Sequence, residues 1–499
     1  MTNPDVLMRH SRIPAIRILP ANDRPVRAEG SFVLYWMTSA RRTTYNFGLE
    51  RAAEWARALG LPLVVLEAVR IGYLHASDRF HAFVLQGMAS NQQQYSKHGV
   101  VYHPYVERAP GEGRGLVAAL SQHAAVVITD DYPAFFLPRM IASAALQIPV
   151  RFEQIDSNGI IPMRATDQVF TTAFSFRAWL QKNIRPHLRN MPTADPLAAG
   201  LPAGKQARLS KEILARWPAA TPELLAPSAA SLAGLAIDHR VAIVSRTVGG
   251  ENEGRKVLNR FVKDKLTRYD TDRNDPDAHA TSGLSPYLHF GHVSAHEIFD
   301  TITRAEGFSE ANLQPHGGKR EGFWGLRAPV EAFLEQLVTW REVGFNMCMH
   351  RPHEYMSYSS LPAWAQRTLD EHAADRRSVI YSRQDLEEAR TGDAVWNAAQ
   401  RELVREGRIH NYLRMVWGKR VLEWTVTPRE ALDVLIELND KYALDGRDPN
   451  SYSGIFWILG RYDRPWAPVR QVYGSIRYMS STNTLKKIDM KKYLVAYGK

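Results

Sequence analysis

The sequence contains a single cysteine, Cys348, and no apolar run as long as a membrane helix. One cysteine excludes an intramolecular disulfide framework and a cysteine-ligated metal site, and it fits a reducing compartment. A membrane-spanning helix takes about 20 apolar residues, and the N-terminal MTNPDVLMRHSR has no apolar signal-peptide region. We therefore expect a cytoplasmic, monomeric protein without membrane contact.

The glycine-rich motifs that hold phosphate groups are also missing. The residues after the first predicted strand are TSARR (38–42) instead of GxGxxG, and GxxxxGK(S/T) occurs nowhere in the chain. HExxH, GxSxG and clustered cysteines and histidines are absent as well. The missing glycine motifs argue against a nucleotide-dependent α/β enzyme, and the other absences agree with chemistry that needs no serine nucleophile or metal.

What the chain has in excess is positive charge and aromatic side chains. Its net charge is +11, its pI is about 9.5, and it carries 12 Trp, 20 Tyr and 18 Phe. A basic protein favours a polyanionic partner, but many basic proteins never bind nucleic acid, so charge alone leaves the partner open. At 499 residues the chain exceeds what one hydrophobic core usually holds, which predicts two domains.

The first third of the chain alternates between apolar runs and helical patterns. The apolar runs predict five buried parallel strands, at 32–37, 61–69, 99–106, 125–132 and 148–155. Helices are predicted between them, at 45–60, 79–97, 114–123 and 134–146, with Gly60 ending the first. This alternation predicts an α/β domain with a doubly wound, five-stranded parallel sheet of the Rossmann-like kind.

The rest of the chain divides into a connector and a helical region. Prolines recur between 162 and 227 around an Ala/Gly/Leu-rich stretch, which indicates a long connector with short helices. After residue 240 the apolar spacing is helical. The predicted organisation is therefore an N-terminal arm (1–30), an α/β domain (31–160), a connector (161–240) and an all-α domain (241–499).

The densest chemistry lies between residues 396 and 479. Trp417 and Trp424 are seven residues apart, so on a helix they share one face, about 10 Å apart along the axis. Arg414 lies one turn before Trp417, and Asp445 is an acidic residue with which it can pair. Tryptophans at helical spacing usually fill a core, and a buried ion pair is usually structural. Together with a basic, aromatic segment downstream they favour a redox site, because neighbouring indoles can relay an electron.

A second candidate site is the segment TSGLS (281–285), which opens a predicted helix. A Thr/Ser-rich helix N-terminus exposes backbone N–H groups and hydroxyl donors, which suits an anion. An ordinary helix cap without a ligand explains the same pattern. The segment alone leaves both interpretations open.

Several stretches resemble the class II cyclobutane pyrimidine dimer photolyases of the photolyase/cryptochrome family. They are YWMTSARRTTYN (35–46), WNAAQ (396–400), IHNYLRMVWGKRVLEWT (409–425) and LDGRDPNSYSGIFW (444–457). The resemblance implies an α/β antenna domain followed by an all-α domain that binds FAD. It also implies light-driven repair of UV-damaged DNA, in which excited, reduced FAD (FADH⁻) gives an electron to a flipped-out pyrimidine dimer.

The resemblance assigns residues to the cofactor. The ten residues matched to FAD are Tyr269, Thr281, Ser282, Gly283, Leu284, Ser285, Asn411, Arg414, Asn439 and Asp445. Asn439 is matched to an asparagine near flavin N5, and a helix C-cap before Asp440 is the alternative interpretation. Members of the family can also bind an antenna chromophore, and the sequence leaves its presence and its type, deazaflavin or other, open.

The resemblance also assigns residues to electron transfer and to the substrate. The residues matched to photoreduction of the flavin are Trp396, Trp417 and Trp424. The residues matched to dimer or DNA contact are Gln336, Trp340, Met415, Trp457 and Arg477. Gln336 stands where related enzymes usually carry a glutamate that hydrogen-bonds the dimer. Glutamine supplies neither a proton nor a negative charge, so repair efficiency is in question more than binding, and the neighbouring Glu335 points elsewhere on a helix.

A basic loop follows the last of these motifs. Its arginines, Arg461, Arg464, Arg470 and Arg477, alternate with Tyr462, Trp466 and Tyr473. This composition suits phosphate contact combined with base stacking, and a solvated basic loop is the alternative. Because WAPVRQVYG (466–474) departs from the family's pattern, the resemblance carries over only Arg477 here.

The resemblance leaves two functions of different classes open. The first is a dimer photolyase, and the second is a cryptochrome-like light sensor with the same fold and flavin but without repair. Gln336 favours the sensor, whereas the lack of an extension after Lys499 counts against it.

Overall fold

The computed structural model describes residues 11–202, 207–315 and 317–499. Its N-terminal part is built on a six-stranded sheet with the order β1-β6-β5-β2-β3-β4. The strands are β1 (Ile18–Pro20), β2 (Phe32–Met37), β3 (Leu63–Val69), β4 (Val101–Val106), β5 (Ala124–Asp130) and β6 (Arg151–Ile155). Strands β2 to β6 are the five predicted from the sequence, and they pair in parallel. The predicted α/β fold class is therefore confirmed.

The sixth strand, β1, corrects the predicted strand count. It lies in the stretch that the sequence indicated to be an arm, and it pairs antiparallel with β6, Ile18 opposite Ile155. The strand has only three residues, Ile-Leu-Pro, and no alternating pattern. Its pairing with β6 covers an edge that would otherwise leave backbone groups unpaired. Residues 1–10 of the predicted arm lie outside the described residues.

Both faces of the sheet are covered, as a doubly wound fold requires. Val33, Tyr35 and Met37 of β2 pack into one apolar cluster with the helix Phe47–Leu59. The alternate residues of β2 pack into a second cluster on the opposite face. The helix Phe47–Leu59 ends at Gly60, whose φ of 63° is left-handed and whose N–H caps the last turn, as predicted.

The chain forms two compact units, each made of three stretches. The first unit comprises Met1–Thr166, Pro186–Leu258 and Leu284–Thr301. The second unit comprises Asp167–Arg185, Asn259–Gly283 and Ile302–Lys499. The linear domain boundaries expected from the sequence stay a prediction.

The helices of the first unit lie between the strands, in the stretch predicted as a connector, and once after residue 284. They are Phe47–Leu59, Asp78–Tyr95, Leu116–Ser121, Leu137–Ala145, Lys211–Arg216, Pro222–Leu225, Ala229–Leu232 and Ser285–His289. Three further helices run across the division between the units, Arg185–Leu188, Glu251–Asp264 and Ala295–Ala305. Short helices lie between residues 173 and 232, and the connector itself stays a prediction.

In its described residues, the regular elements of the second unit are helices. Its helices are Ala173–Asn183, Tyr269–Asp272, Ala328–Leu334, Arg341–His350, Ala363–Glu371, Arg383–Glu387, Ala394–Glu406, Asn411–Trp424, Pro428–Tyr442, Pro449–Ile458, Ser481–Lys487 and Lys491–Tyr497. A π-helical stretch, Glu335–Trp340, joins two of them. No helix in the described part of the chain combines the length and the apolar character that crossing a bilayer takes.

Candidate functional site

The sheet offers one conventional place for a nucleotide, the crevice between β2 and β5 where the strand order reverses. There the backbone N–H groups of Thr38, Ser39 and Ala40 all donate to Oδ2 of Asp130, at 2.8, 2.8 and 2.9 Å. Tyr35 donates its hydroxyl to the other carboxylate oxygen at 2.7 Å. The turn that could receive a phosphate is thus occupied by the protein's own carboxylate, in agreement with the missing glycine motif.

Three tryptophans predicted for electron transfer form one cluster in the second unit. Trp396 and Trp417 stack with ring centroids 6.2 Å apart and an interplanar angle of 6°. Trp396 meets Trp424 edge to face at 5.5 Å. All three side chains are at most 2% exposed. Trp396 therefore lies between Trp417 and Trp424, the two indoles that are seven residues apart on one helix. The order of contact is Trp417, Trp396, Trp424.

Hydrogen bonds fix the orientation of the first two rings. Trp396 Nε1 donates to the carbonyl of Trp417 at 2.9 Å, and Trp417 Nε1 donates to Oε1 of Gln400 at 3.0 Å. Gln400 belongs to the WNAAQ segment and is itself held by the carbonyl of Glu387. Gln400 was not among the predicted site residues, although its place four residues after Trp396, on the same helix face, was a signal for it.

The far end of the cluster leads towards the surface. Tyr381, which is half-buried, meets Trp424 edge to face at 5.1 Å. The Arg420 guanidinium lies 4.4 Å from the centre of the Trp424 ring and is paired with Asp393 and Glu423. Tyr381 extends the aromatic path beyond the three predicted indoles, and nothing in its sequence context indicated this.

The predicted ion pair of Arg414 and Asp445 is present. Arg414 Nη2 lies 2.9 Å from Asp445 Oδ1, and the side chains are 18% and 15% exposed. The pair is therefore half-buried, not buried. Arg414 sits one turn before Trp417 on the helix Asn411–Trp424, whose open positions include Asn411, Arg414 and Met415. This end of the helix combines charge with an accessible surface.

Asn439 lies inside the helix Pro428–Tyr442, whose C-cap is Ala443, so the alternative interpretation as a C-cap is wrong. The side chain is 3% exposed. Its Nδ2 donates to Asp440 Oδ1 at 3.1 Å and to Ser451 Oγ at 2.9 Å. Because both donors are used, Oδ1 is the group that the amide offers to a ligand.

The segment around Thr281 is basic as well as hydroxyl-rich. Lys265 Nζ donates to the carbonyl of Thr281 at 3.3 Å. Burial lowers the pKa of Lys265, because it disfavours the charged form. Arg408, Arg260 and Arg268 lower this pKa further, because they repel the ammonium group. Such a concentration of positive charge suits an anion, and Lys265 is a residue that sequence reasoning missed.

The neighbouring positions are arranged as follows. Gly283 has a φ of 72°, which favours glycine there, and Tyr269 is buried against Phe261 and Phe333. Burial raises the pKa of Tyr269. Ser282 is half-buried beside Thr281.

The predicted helix after TSGLS is present as Ser285–His289, with Leu284 as its N-cap and no side-chain cap bond. Leu284 and Ser285 belong to the first unit. Their assignment to the cofactor stays a prediction.

Gln336 and Trp340 lie in the π-helical stretch Glu335–Trp340. Between residues 330 and 348, the half-exposed side chains are Ala332, Gln336 and Trp340, and the others are buried. Their spacing of four residues places them on one accessible stripe, and π-helical turns occur frequently at functional sites. No pattern in the residues 335–340 indicated a π-helical turn.

Glu335 is committed elsewhere, as expected for the residue beside Gln336. It forms a buried ion pair with Arg177, whose Nε donates to both carboxylate oxygens at 3.0 Å. The Glu335 carboxylate is therefore held by Arg177 and does not replace the side chain of Gln336.

Trp457 lies on a similar stripe of the helix Pro449–Ile458, where Asn450, Gly454 and Trp457 are the more open positions. Arg477 pairs with Asp463 at 2.9 Å, and its guanidinium lies 5.4 Å from the centre of the Trp457 ring. The structure thus brings two residues that were assigned to the substrate, Trp457 and Arg477, into contact.

The basic loop corrects part of the sequence interpretation. Arg461, Tyr462 and Tyr473 are at most 4% exposed, and Arg461 donates to the carbonyl of Tyr355 and to Ser360 Oγ. They stabilise the fold and are not available to a DNA backbone. The surface part of the loop retains Arg464, Arg470 and half-exposed Trp466.

Comparisons with known proteins place this geometry in a family. The chain is 32% identical over 485 residues to the deoxyribodipyrimidine photo-lyase of Methanothermobacter thermautotrophicus, covering 97% of this chain and 98% of the relative. It is 33% identical over 498 residues to the deoxyribodipyrimidine photo-lyase of Oryza sativa subsp. japonica, covering 97% and 90%. No family model matches the chain.

Solved structures agree on the fold. A class III photolyase from Agrobacterium tumefaciens superimposes with a TM-score of 0.66 at 17% identity, covering 94% of this chain and 86% of that one. A Synechocystis cryptochrome gives a TM-score of 0.66 at 14% identity, covering 93% and 88%. Because the chain is 32% and 33% identical to two photo-lyases over nearly its whole length, it belongs to the photolyase/cryptochrome family and is an enzyme of the photolyase kind.

Proposed function

We propose that this protein is a class II photolyase, which uses light and reduced FAD to split cyclobutane pyrimidine dimers in DNA. The observation that carries the proposal is the contact series Trp417, Trp396, Trp424. It starts one turn from the Arg414–Asp445 pair, on the same helix. A series of buried indoles that begins beside a half-buried ion pair can carry electrons to a redox cofactor. Hydrolysis does not require such a series.

The residues present fit FAD at two ends. The cations around Lys265 and the Thr281 segment suit a diphosphate. The Oδ1 of Asn439 is an acceptor, which suits the N–H that a reduced flavin carries at N5. Bound here, reduced FAD would supply the electron that light makes available for transfer.

The protein's own part in the reaction is to hold charge and geometry in place. Arg414, kept in position by Asp445, offers a fixed positive charge beside a ring whose charge changes. Asn411, the exposed first residue of this helix, is proposed to contact the adenine end of FAD. The indole series connects the site with half-buried Tyr381, so an electron can be replaced from outside.

The substrate is proposed to bind against the open stripes of the same unit. Gln336 and Trp340 of one stripe, Trp457 of another and Met415 supply amide, aromatic and thioether surfaces, which suit an apolar, extruded dimer. Extruding a damaged base pair costs less than extruding an intact one. Arg464, Arg470 and Arg477 are proposed to contact the DNA backbone around the lesion.

The test is light-dependent repair. Reduced, FAD-loaded protein is incubated with an oligonucleotide that contains one thymine dimer, in blue light and in darkness, and intact thymine is quantified by chromatography. Restoration in light but not in darkness is expected. A protein that binds the dimer but restores no thymine in light would refute the proposal.

The alternative is a light sensor without repair activity, as in a cryptochrome. One observation favours it, namely that position 336 carries glutamine and that Glu335 is tied to Arg177. The same experiment separates the two, because a sensor would take up light, change its flavin state and leave the dimer intact.

A further inference from the structure

Lys419 is a fully buried lysine for which the proposed function has no role so far. It lies in the helix Asn411–Trp424, and its side chain is 0% exposed. Its Nζ donates to the carbonyl of Ile458 at 2.5 Å and lies 4.9 Å from the centre of the Trp457 ring. Burying an ammonium group is costly unless it is compensated, so its place beneath a proposed lesion-binding indole calls for a reason.

The close packing of two helices brings Lys419 to this position. A Cβ atom at Gly418 would lie 2.0 Å from Cδ1 and 2.8 Å from Cγ1 of Ile458, so a larger residue at position 418 would force the Ile458 side chain to move. The next residue, Lys419, then reaches the carbonyl of Ile458 and the ring of Trp457 at the end of the helix Pro449–Ile458. The contact is therefore a product of the backbone arrangement and not of a flexible surface chain.

The electrostatic surroundings of Lys419 are uneven. Among the described residues, no carboxylate lies within ion-pair distance of its Nζ, and Asp463, which acts on Lys419 at longer range, is paired with Arg477. Burial lowers the pKa of Lys419 to about 7, with a smaller opposing effect of Asp463 and a further lowering by Arg477. On its own helix Arg420 pairs with Glu423, and Tyr473 donates its hydroxyl to the carbonyl of Lys419.

We infer that Lys419 is a positioning residue of the lesion pocket, which holds the indole of Trp457 in place through a desolvated cation–π contact. The inference rests on the proposed function. Trp457 receives a second cation, Arg477, at 5.4 Å. A cation–π contact is strongest when the ion is removed from water, and a recognition surface works best when its side chains are fixed before the ligand arrives.

A dependence on pH follows from the charge of Lys419. Below its pKa the side chain is an ammonium ion and attracts the ring, whereas above it the neutral amine keeps only its hydrogen bond to Ile458. The preference for dimer-containing DNA over intact DNA is therefore expected to fall as the pH rises through about 7.

The experiment compares Lys419→Met and Lys419→Gln with the wild-type protein loaded with FAD. Methionine removes the charge and the donor, and glutamine removes the charge but keeps a donor. Dissociation constants are measured for a dimer-containing and an intact oligonucleotide between pH 6 and 8.5 (roughly the range around the pKa). Both variants are expected to bind the dimer about fivefold to tenfold more weakly at low pH, with intact DNA unaffected and no inflection near neutral pH.

A double-mutant cycle with Trp457→Leu, which removes the aromatic ring, separates positioning from general stability. If Lys419 acts through Trp457, Lys419→Met adds no further loss of dimer affinity in the Trp457→Leu background, and the melting temperature is unchanged or higher. Variants that keep wild-type affinity and pH profile, or an equal loss in both backgrounds, would overturn the role of Lys419. A wild-type protein without preference for dimer DNA would instead refute the proposed function itself.

Discussion

At the scale of single residues, the molecule separates side chains that look alike in the sequence. Arg461 and Arg464 are three positions apart in one basic loop, yet Arg461 is 1% exposed and Arg464 lies on the surface. The motifs pointed to the correct tryptophans for a cluster, but only the fold shows that Trp396 lies between the other two. Burial and order of contact depend on distant parts of the chain, which local spacing does not encode.

The order of contact leads to a prediction for Trp417. We expect Trp417→Phe to abolish photoreduction of bound FAD almost completely while FAD stays bound, because phenylalanine is far harder to oxidise than an indole. The rate is measured by absorbance during blue-light illumination with an external reductant. Trp324→Phe is the matched control, since Trp324 is also buried but packs against Phe308 and Phe323. Photoreduction of Trp417→Phe at the wild-type rate would refute the relay.

Gln336 allows a second prediction at this scale. Gln336→Glu is expected to raise the repair rate of bound dimer by roughly threefold to tenfold, because hydrogen bonds to charged groups are worth about 1 kcal/mol more than neutral ones. The control is Ala332→Ser, on the same open stripe but one turn away. The repair rate is measured in single turnover with saturating protein. An unchanged rate would contradict a contact between position 336 and the dimer, and a lower rate would contradict the expected gain.

At the scale of elements, the regular structure was largely predictable and its exceptions were not. Strand β2 and the helix Phe47–Leu59 could be predicted because continuous burial and a glycine stop leave clear patterns. Strand β1 has three residues and no period, and the π-helical turn Glu335–Trp340 has the composition of an ordinary helix. Both depend on tertiary contacts, β1 on its pairing with β6 and the turn on its packing and on the Arg177 ion pair.

The helix Arg341–His350 packs closely on the helix Pro449–Ile458, and this pair offers a prediction about stability. A Cβ atom at Gly344 would lie 2.5 Å from the carbonyl oxygen of Pro449, whereas one at Gly454 would meet nothing within 4 Å. We expect Gly344→Ala to destabilise the protein by about 2–4 kcal/mol, since backbone must move. Gly454→Ala should instead stabilise it by about 0.5–1 kcal/mol. Denaturant unfolding measures both, and equal effects would contradict the packing.

At the scale of the whole molecule, the net charge of +11 leads to a prediction about the salt dependence of DNA binding. The logarithm of the association constant is expected to fall linearly with the logarithm of the salt concentration, because bound phosphates release counterions. Replacing the two exposed arginines of the basic loop together, Arg464→Gln and Arg470→Gln, should reduce the magnitude of this slope by about 2, one for each lost phosphate contact.

The control for the salt experiment is Arg461→Gln. Because Arg461 is buried and donates to Tyr355 and Ser360, this change should lower stability and leave the slope unaltered. A slope that responds to Arg461 but not to the surface arginines would contradict the assignment of the loop.

The carboxylate of Asp130 has a consequence that reaches beyond this site. Its oxygen accepts hydrogen bonds from three consecutive backbone N–H groups, at the position where α/β sheets commonly bind a ligand. These N–H groups therefore need no external anion. Nucleotides added to the medium must compete with a tethered group whose effective concentration no free ligand reaches. Asp130→Gly would vacate the turn, and sulfate or phosphate would then be free to settle in it and restore part of the lost stability.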